Sequence, residues 1–144
     1  LLKTSDDYGI TAARLVLGIV FFAHGAQKVL GWWGGYGFTG TMGFFTHQGI
    51  PAPLAFLAIM AEFLGGLGLI VGALSRIAAF GIFSNMVVAI ATVHWPNGFF
   101  MNWFGNQKGE GFEYHLLAIA LAVVIMIGGS GALSIDRAVA RRFE

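Results

Sequence analysis

The sequence predicts an all-α integral membrane protein, a four-helix bundle with two long aromatic-rich loops on its outer side. Three observations predict it. Of 144 residues, 57% are hydrophobic and only 10% are charged, against roughly 25% charged in an ordinary soluble domain. Mean hydropathy is +0.77, so a soluble fold of this size would expose far more apolar surface than monomers usually tolerate. Four stretches are long and apolar enough to cross a bilayer: Thr11 to Gly31, Pro53 to Ala73, Ile77 to Trp95 and Phe112 to Gly129, the last extendable to Leu133. Blocks such as Leu117 to Ile127 are too long and too uniformly apolar for barrel strands, which alternate.

Taken in order, the first span carries Arg14 near its start, and His24 and Lys28 four residues apart on one face toward its other end. A loop from Trp32 to Ala52 follows. Within it, Thr39 to Gln48 reads as a short surface helix stopped by Gly49 and the Pro51-x-Pro53 pair, with His47 solvated. In the second span Ala55, Ala58, Glu62, Gly65 and Gly66 share a face, and Gly68 and Gly72 form a GxxxG. Glu62 therefore faces protein rather than lipid. Leu74, Ser75 and Arg76 are barely more than a turn. In the third span Asn85 lies on a small face with Ala78, Gly81 and Ala89, which predicts an interhelical hydrogen bond on the cytoplasmic side of the bundle, and His94 closes the span. After the second long loop, Pro96 to Gly111, Glu113 and His115 open the fourth span. His115 shares a face with Ala118 and Ala122 and points inward, while Glu113, about 200° away, faces the interface. Residues 1–144 read as a single domain of four spans.

Charge sets the orientation. Lys3, Arg14, Arg76, Arg137, Arg141 and Arg142 lie at one set of span ends, and Lys28 and Lys108 at the other. Both termini are therefore expected in the cytoplasm, with the tryptophan-rich loops outside. A net charge of +1 gives no basic surplus for nucleic acid. The absence of cysteine excludes disulfides, thiol relays and Cys-ligated clusters or zinc. The chain begins at Leu1 rather than Met, and a few residues are expected to precede it.

The ordered set His24-Gly25-Ala26-Gln27-Lys28, Gly34-Gly35, Gly49-Ile50-Pro51-Ala52-Pro53, Glu62-Phe63-Leu64-Gly65-Gly66, Glu113-Tyr114 and Asp136 resembles the DoxX family of bacterial four-helix membrane proteins. The resemblance covers nearly the whole chain, from about Arg14 to Asp136. It implies a multi-pass protein of the bacterial inner membrane. It also implies association with quinone-linked enzymes, since the family is named from a subunit attributed to a quinol oxidase.

A charge near the bilayer centre costs about 2.5–3.5 kcal/mol on insertion scales and needs a partner. Glu62 is the clearest case, with Lys28 and His24 as candidate partners. Two readings compete for that pair. It either fixes helix register or lines a pocket where a quinone or lipid headgroup binds and exchanges a proton. His24, Lys28, Glu62, His94, Glu113 and His115 all count to the outer half and form the candidate ligand-binding set. No metal-ligand string occurs, and a bis-histidine haem through His24 and His94 is the weaker alternative. The reading that follows is an accessory subunit among other membrane proteins, with a quinone or lipid as ligand and no covalent cofactor. The alternative is a quinone-linked oxidoreductase component exchanging protons through Glu62 and His24.

Overall fold

The computed structural model describes residues 1–143. Its elements are α1 (Tyr8–Val29), α2 (Gly37–His47), α3 (Ala52–Val71), α4 (Ser75–Ala89), α5 (Glu113–Gly128) and α6 (Ile135–Arg141), with no strand among the described residues. Helices α1, α3, α4 and α5 form the bundle. α2 is the expected short helix, lying against α1 and α3 at the end that carries the long loops. We call that the loop end, and the end holding both chain termini the terminal end.

The helix limits follow local chemistry. Asp7 caps α1 by accepting from the amides of Gly9 and Ile10 at 2.8 and 3.1 Å. The span expected from the sequence starts at Thr11, three residues later, because hydropathy does not register the Asp7 cap. Pro51 and Pro53 open α3, where their missing amides cost nothing. Gly72, at φ +75°, closes α3 in the left-handed region. The expected Gly68–Gly72 packing motif is therefore a helix stop. The third span continues past α4 through a π-helical turn, Ile90–His94, and a 3-10 turn, Trp95–Asn97. The fourth stops at Gly128, because Gly129 and Gly131 take φ of +85° and +75°. It does not run on to Leu133.

Three segments are long and apolar enough to cross a membrane, Tyr8–Val29, Ala52–Val71 and Ser75–Asn97, and α5 is a shorter apolar helix of 16 residues. At 1.5 Å per residue α5 is about 24 Å long. Side chains are distributed inside out relative to a soluble bundle. Leu57, Leu117 and Ile127 are exposed, whereas the interior includes Ala26, Ala55, Ala79, Ala118 and Ala122 around Leu17, Phe21, Ile82 and Ile125. Small interior residues let helix backbones approach where no hydrophobic force drives them together, and large apolar side chains face lipid. The chain is a membrane helical bundle.

α1 packs most extensively on α3 and much less on α5, so the α1–α5 seam is the thinnest joint between neighbouring bundle helices. The terminal end is knotted instead. Arg14, expected as a flanking cation, is fully buried. Its guanidinium donates to the carbonyls of Leu69 and Ile70 at the end of α3, and of Ser130, Ala132 and Leu133 beyond α5. Arg76 donates to the carbonyls of Met126 and Ile127 in the last turn of α5. Asp136 accepts from the amides of Leu74 and Ser75 at the start of α4 and from the Ser130 hydroxyl. Orphan helix-end carbonyls thus meet arginines and orphan amides meet a carboxylate, as their partial charges require.

Candidate functional site

The polar groups of the loop half fall into two clusters joined by Tyr114. The first is an ion pair: Lys28 near the end of α1 donates to Glu62 of α3 at 2.5 Å. Glu62 is 8% exposed, buried because its own stripe of Ala55, Ile59, Gly65 and Gly66 is the face α3 turns inward. Lys28 is half-buried, its stem running along the bundle while its ammonium reaches the carboxylate. His24, the other expected partner of Glu62, does not bond it. The His24 Nδ1 pairs with the Val20 carbonyl at 2.8 Å, one turn back, and the ring is exposed beside Phe21 and Tyr114 at the α1–α5 seam.

The second cluster is the histidine pair. The rings of His94 and His115 lie 4.0 Å apart, centre to centre. The π-helical turn shifts the end of α4 by one residue from α-helical register and so helps aim His94 at α5. Such turns are frequent at functional sites. The His94 Nδ1 pairs with the Glu110 carbonyl at 2.8 Å. His115 is buried, as its Ala118 and Ala122 face predicts, and its Nδ1 has no hydrogen-bond partner. The neighbouring Tyr114 hydroxyl is also buried without a partner, and lies within electrostatic range of Glu62. Leaving a buried polar atom unpaired costs about 1–3 kcal/mol, so two in one layer need an explanation.

Glu113 stands apart from both clusters. Its carboxylate accepts from the Met101 amide at 3.0 Å and the Trp103 indole at 2.5 Å, and so pins the second loop. Glu110 accepts from the Asn102 amide in the same loop. Glu113 is thus engaged by the second loop at the start of α5. His47 is exposed. Asn85 makes an interhelical hydrogen bond, 2.8 Å to the Ala58 carbonyl. Ala58 lies one turn to the loop side of Glu62, which places Asn85 in the loop half rather than in the terminal half where it is expected.

In the sequence Tyr114 stands in the family motif with no assigned role, and Arg14 counts only as an orienting charge. Tyr114 was detectable as a hydroxyl one residue from the inward-facing His115. Arg14 carried a signal too, standing three residues inside the span. Among the described residues no three His, Asp or Glu side chains converge as metal donors. Two open, shallow concavities are present, and neither is lined by residues of these clusters. One, of about 380 Å³, is an apolar groove between α3 and α4 beside Gly65 and Gly81. The other, of about 390 Å³, lies at the terminal end.

A family model described as DoxX matches residues 9–95. The "Putative oxidoreductase CatD" of Bacillus subtilis (strain 168) is 29% identical over 135 residues, 94% of this chain and 90% of that protein. The "Inner membrane protein YqjF" of Escherichia coli (strain K12) is 29% identical over 136 residues, 94% of this chain and 95% of that protein. No solved structure matches the chain. The family match spans α1 through the His94 turn, which includes the Lys28–Glu62 pair and the glycines that seat α1 on α3; the chain belongs to the DoxX family.

Proposed function

We propose that the chain is an accessory subunit of a redox or energy-transducing complex in the bacterial inner membrane. In this reading its termini are cytoplasmic, and its outer half holds the headgroup of a membrane-dissolved quinone. The observation that carries the reading is the pair of buried, unpartnered polar atoms, Tyr114 Oη and His115 Nδ1, in one layer with the Lys28–Glu62 ion pair. Tyr114 is a hydroxyl donor and His115 a ring nitrogen that donates or accepts according to its tautomer. A quinone supplies two ring oxygens that accept hydrogen bonds and take up protons when the ring is reduced. The Lys28–Glu62 pair lies within electrostatic range of the Tyr114 hydroxyl, and exposed His24 stands at the α1–α5 seam, the thinnest joint and therefore the side entrance from lipid.

With no cysteine in the chain, electrons come from a partner, which favours the accessory role over an enzyme complete in itself. The names of the two relatives, "Putative oxidoreductase CatD" and "Inner membrane protein YqjF", support this reading. The closed 2.5 Å ion pair favours a second reading, in which Lys28–Glu62 only fixes helix register.

Purification in mild detergent, with extraction of quinones and identification of co-purifying proteins, separates the two. The proposal expects bound quinone, lowered about fivefold in Tyr114→Phe by loss of one hydrogen bond. If the purified protein carries no quinone and binds no added short-chain ubiquinone, the register reading stands.

A further inference from the structure

The second long loop closes on itself. The carbonyls of Gly98, Phe99 and Phe100 accept from the amides of Phe112, Glu113 and Gly111 at 3.1, 2.9 and 3.1 Å. The fit is so close that a Cβ on Gly111 would stand 2.3 Å from the Phe100 carbonyl oxygen. The carboxylates of Glu113 and Glu110 take the amides of Met101 and Asn102, and the Asn102 side chain takes the amide of Gln107. Residues 98–112 are therefore a hairpin rooted on the first turn of α5, its two neighbouring carboxylates spent on its own amides.

What the hairpin turns outward is aromatic. Trp103 is 72% exposed and Phe104 89%, with Phe100 exposed as well. Left in water these rings forgo about 1.5–3 kcal/mol apiece. Lys108, the one cation in residues 98–112, is exposed four residues beyond Phe104.

Depth decides what covers the rings. Arg76 donates to the carbonyls of Met126 and Ile127, and a guanidinium at such a helix end marks the edge of the hydrocarbon. From Ile127 to Glu113, α5 rises only about 21 Å, against a hydrocarbon core of about 30 Å. The root of the hairpin therefore lies within the thickness of the membrane. Irregular backbone is tolerated at that depth where its polar groups find partners, which accounts for carboxylates committed to loop amides.

We propose that residues 98–112 are an interfacial anchor seated in the leaflet at the loop end. Phe100, Trp103 and Phe104 lie among the acyl chains next to the headgroups, the level that aromatic rings favour. Lys108 reaches a lipid phosphate by extending its aliphatic stem. Lipid is the occupant, rather than a protein docking from water, because the root of the hairpin is at hydrocarbon depth. The anchor is independent of any ligand in the loop half, although the Glu110 carbonyl also ties it to the His94 ring.

The test uses the full chain in liposomes of phosphatidylcholine and phosphatidylglycerol. The chain has no cysteine, so Phe104→Cys carries a spin label at one place, and Leu117→Cys on the exposed side of α5 gives the hydrocarbon reference. The Phe104→Cys label should collide more with oxygen, which concentrates in lipid, than with a water-soluble nickel chelate. Trp32→Phe, Trp33→Phe and Trp95→Phe together leave Trp103 as the lone tryptophan. Its emission should be quenched by lipids brominated near the headgroup and unchanged by aqueous iodide. Adding Phe100→Ser and Phe104→Ser should shift that emission to the red and remove most of the bromine quenching. A label more open to nickel than to oxygen, or iodide quenching of Trp103, overturns the anchor. A label shielded from both reagents, or broadened by the label of a second copy, overturns it too, because the rings then face protein.

Discussion

Gly66 of α3 lies so close to Phe22 of α1 that a Cβ on the glycine would stand 2.3 Å from the Phe22 amide nitrogen. The clash is with backbone, so no rotamer relieves it. Gly25 meets the backbone of Phe63 in the same way from the other helix, and Gly18 meets that of Ile70. These contacts make the α1–α3 seam the tightest in the bundle. They also hold Lys28 and Glu62 at bonding distance near its loop end.

Two adjacent glycines therefore differ in tolerance. Gly66→Ala should destabilise the protein by about 1–3 kcal/mol, the cost of overpacking, and should loosen the ion pair. At Gly65 the nearest atom to a new Cβ is the Ala78 carbonyl oxygen at 3.5 Å, an ordinary contact, and Gly65→Ala should be close to neutral. Thermal unfolding in one detergent compares the two. Equal losses would show that the α1–α3 approach is not the cause.

Glu62→Ala strands the Lys28 ammonium and should cost about 3–5 kcal/mol, the usual effect of breaking a buried pair. Glu62→Gln retains an acceptor and should cost less. The double variant Lys28→Met with Glu62→Leu removes both charges and should be milder than Glu62→Ala. A double-mutant cycle on unfolding midpoints measures the coupling.

Arg14→Lys should be severe despite conserving charge. The guanidinium bonds five carbonyls on two chain segments, and an ammonium has three donors. Hydrogen exchange should rise in the segment from Gly129 to Leu133 while α2, remote from it, stays protected.

Asp6 is the site of an acid-side effect. Its hydrogen bonds to Arg137 and then Arg141 hold its carboxyl below the ordinary value of 3.8. A depressed value in the folded state means that its contribution is complete above 3.8 and disappears as pH falls through the lowered value. The difference in unfolding midpoint between wild type and Asp6→Asn should therefore be flat at neutral pH and vanish in acid.

Reporter fusions placed after Arg142 and after Gly105 should report opposite sides, with the terminus cytoplasmic, because six of the eight basic residues lie at the terminal end. Reports from one compartment would overturn a four-span arrangement.

The bundle was legible because lipid demands long apolar runs, and four such runs are in the chain. Glu62 was legible for a related reason: the small residues spaced three and four apart around it mark the inward face. Its choice of Lys28 over His24 was not, since the bond that His24 makes to its own helix depends on rotamer rather than spacing. The role of Arg14 was hidden because charge counting treats every arginine near a span end alike. Burial depends on where the irregular segment after α5 folds back, and that is set by the left-handed Gly129 and Gly131. Depth along the spans put His94 and His115 at one level, but their ring contact was not legible because a helical wheel assumes α-helical register, which the π-helical turn breaks.

The shortness of α5 has a consequence for the surrounding lipid. Its 16 residues span about 24 Å where the hydrocarbon core measures about 30 Å, whereas α1 and α3, with 22 and 20 residues, match or exceed it. The bundle therefore has one short flank, α5 falling about 6 Å below the hydrocarbon thickness that α3 matches. Each ångström of mismatch costs a fraction of a kcal/mol, and that cost falls when a neighbour of equally short reach lies against the same side.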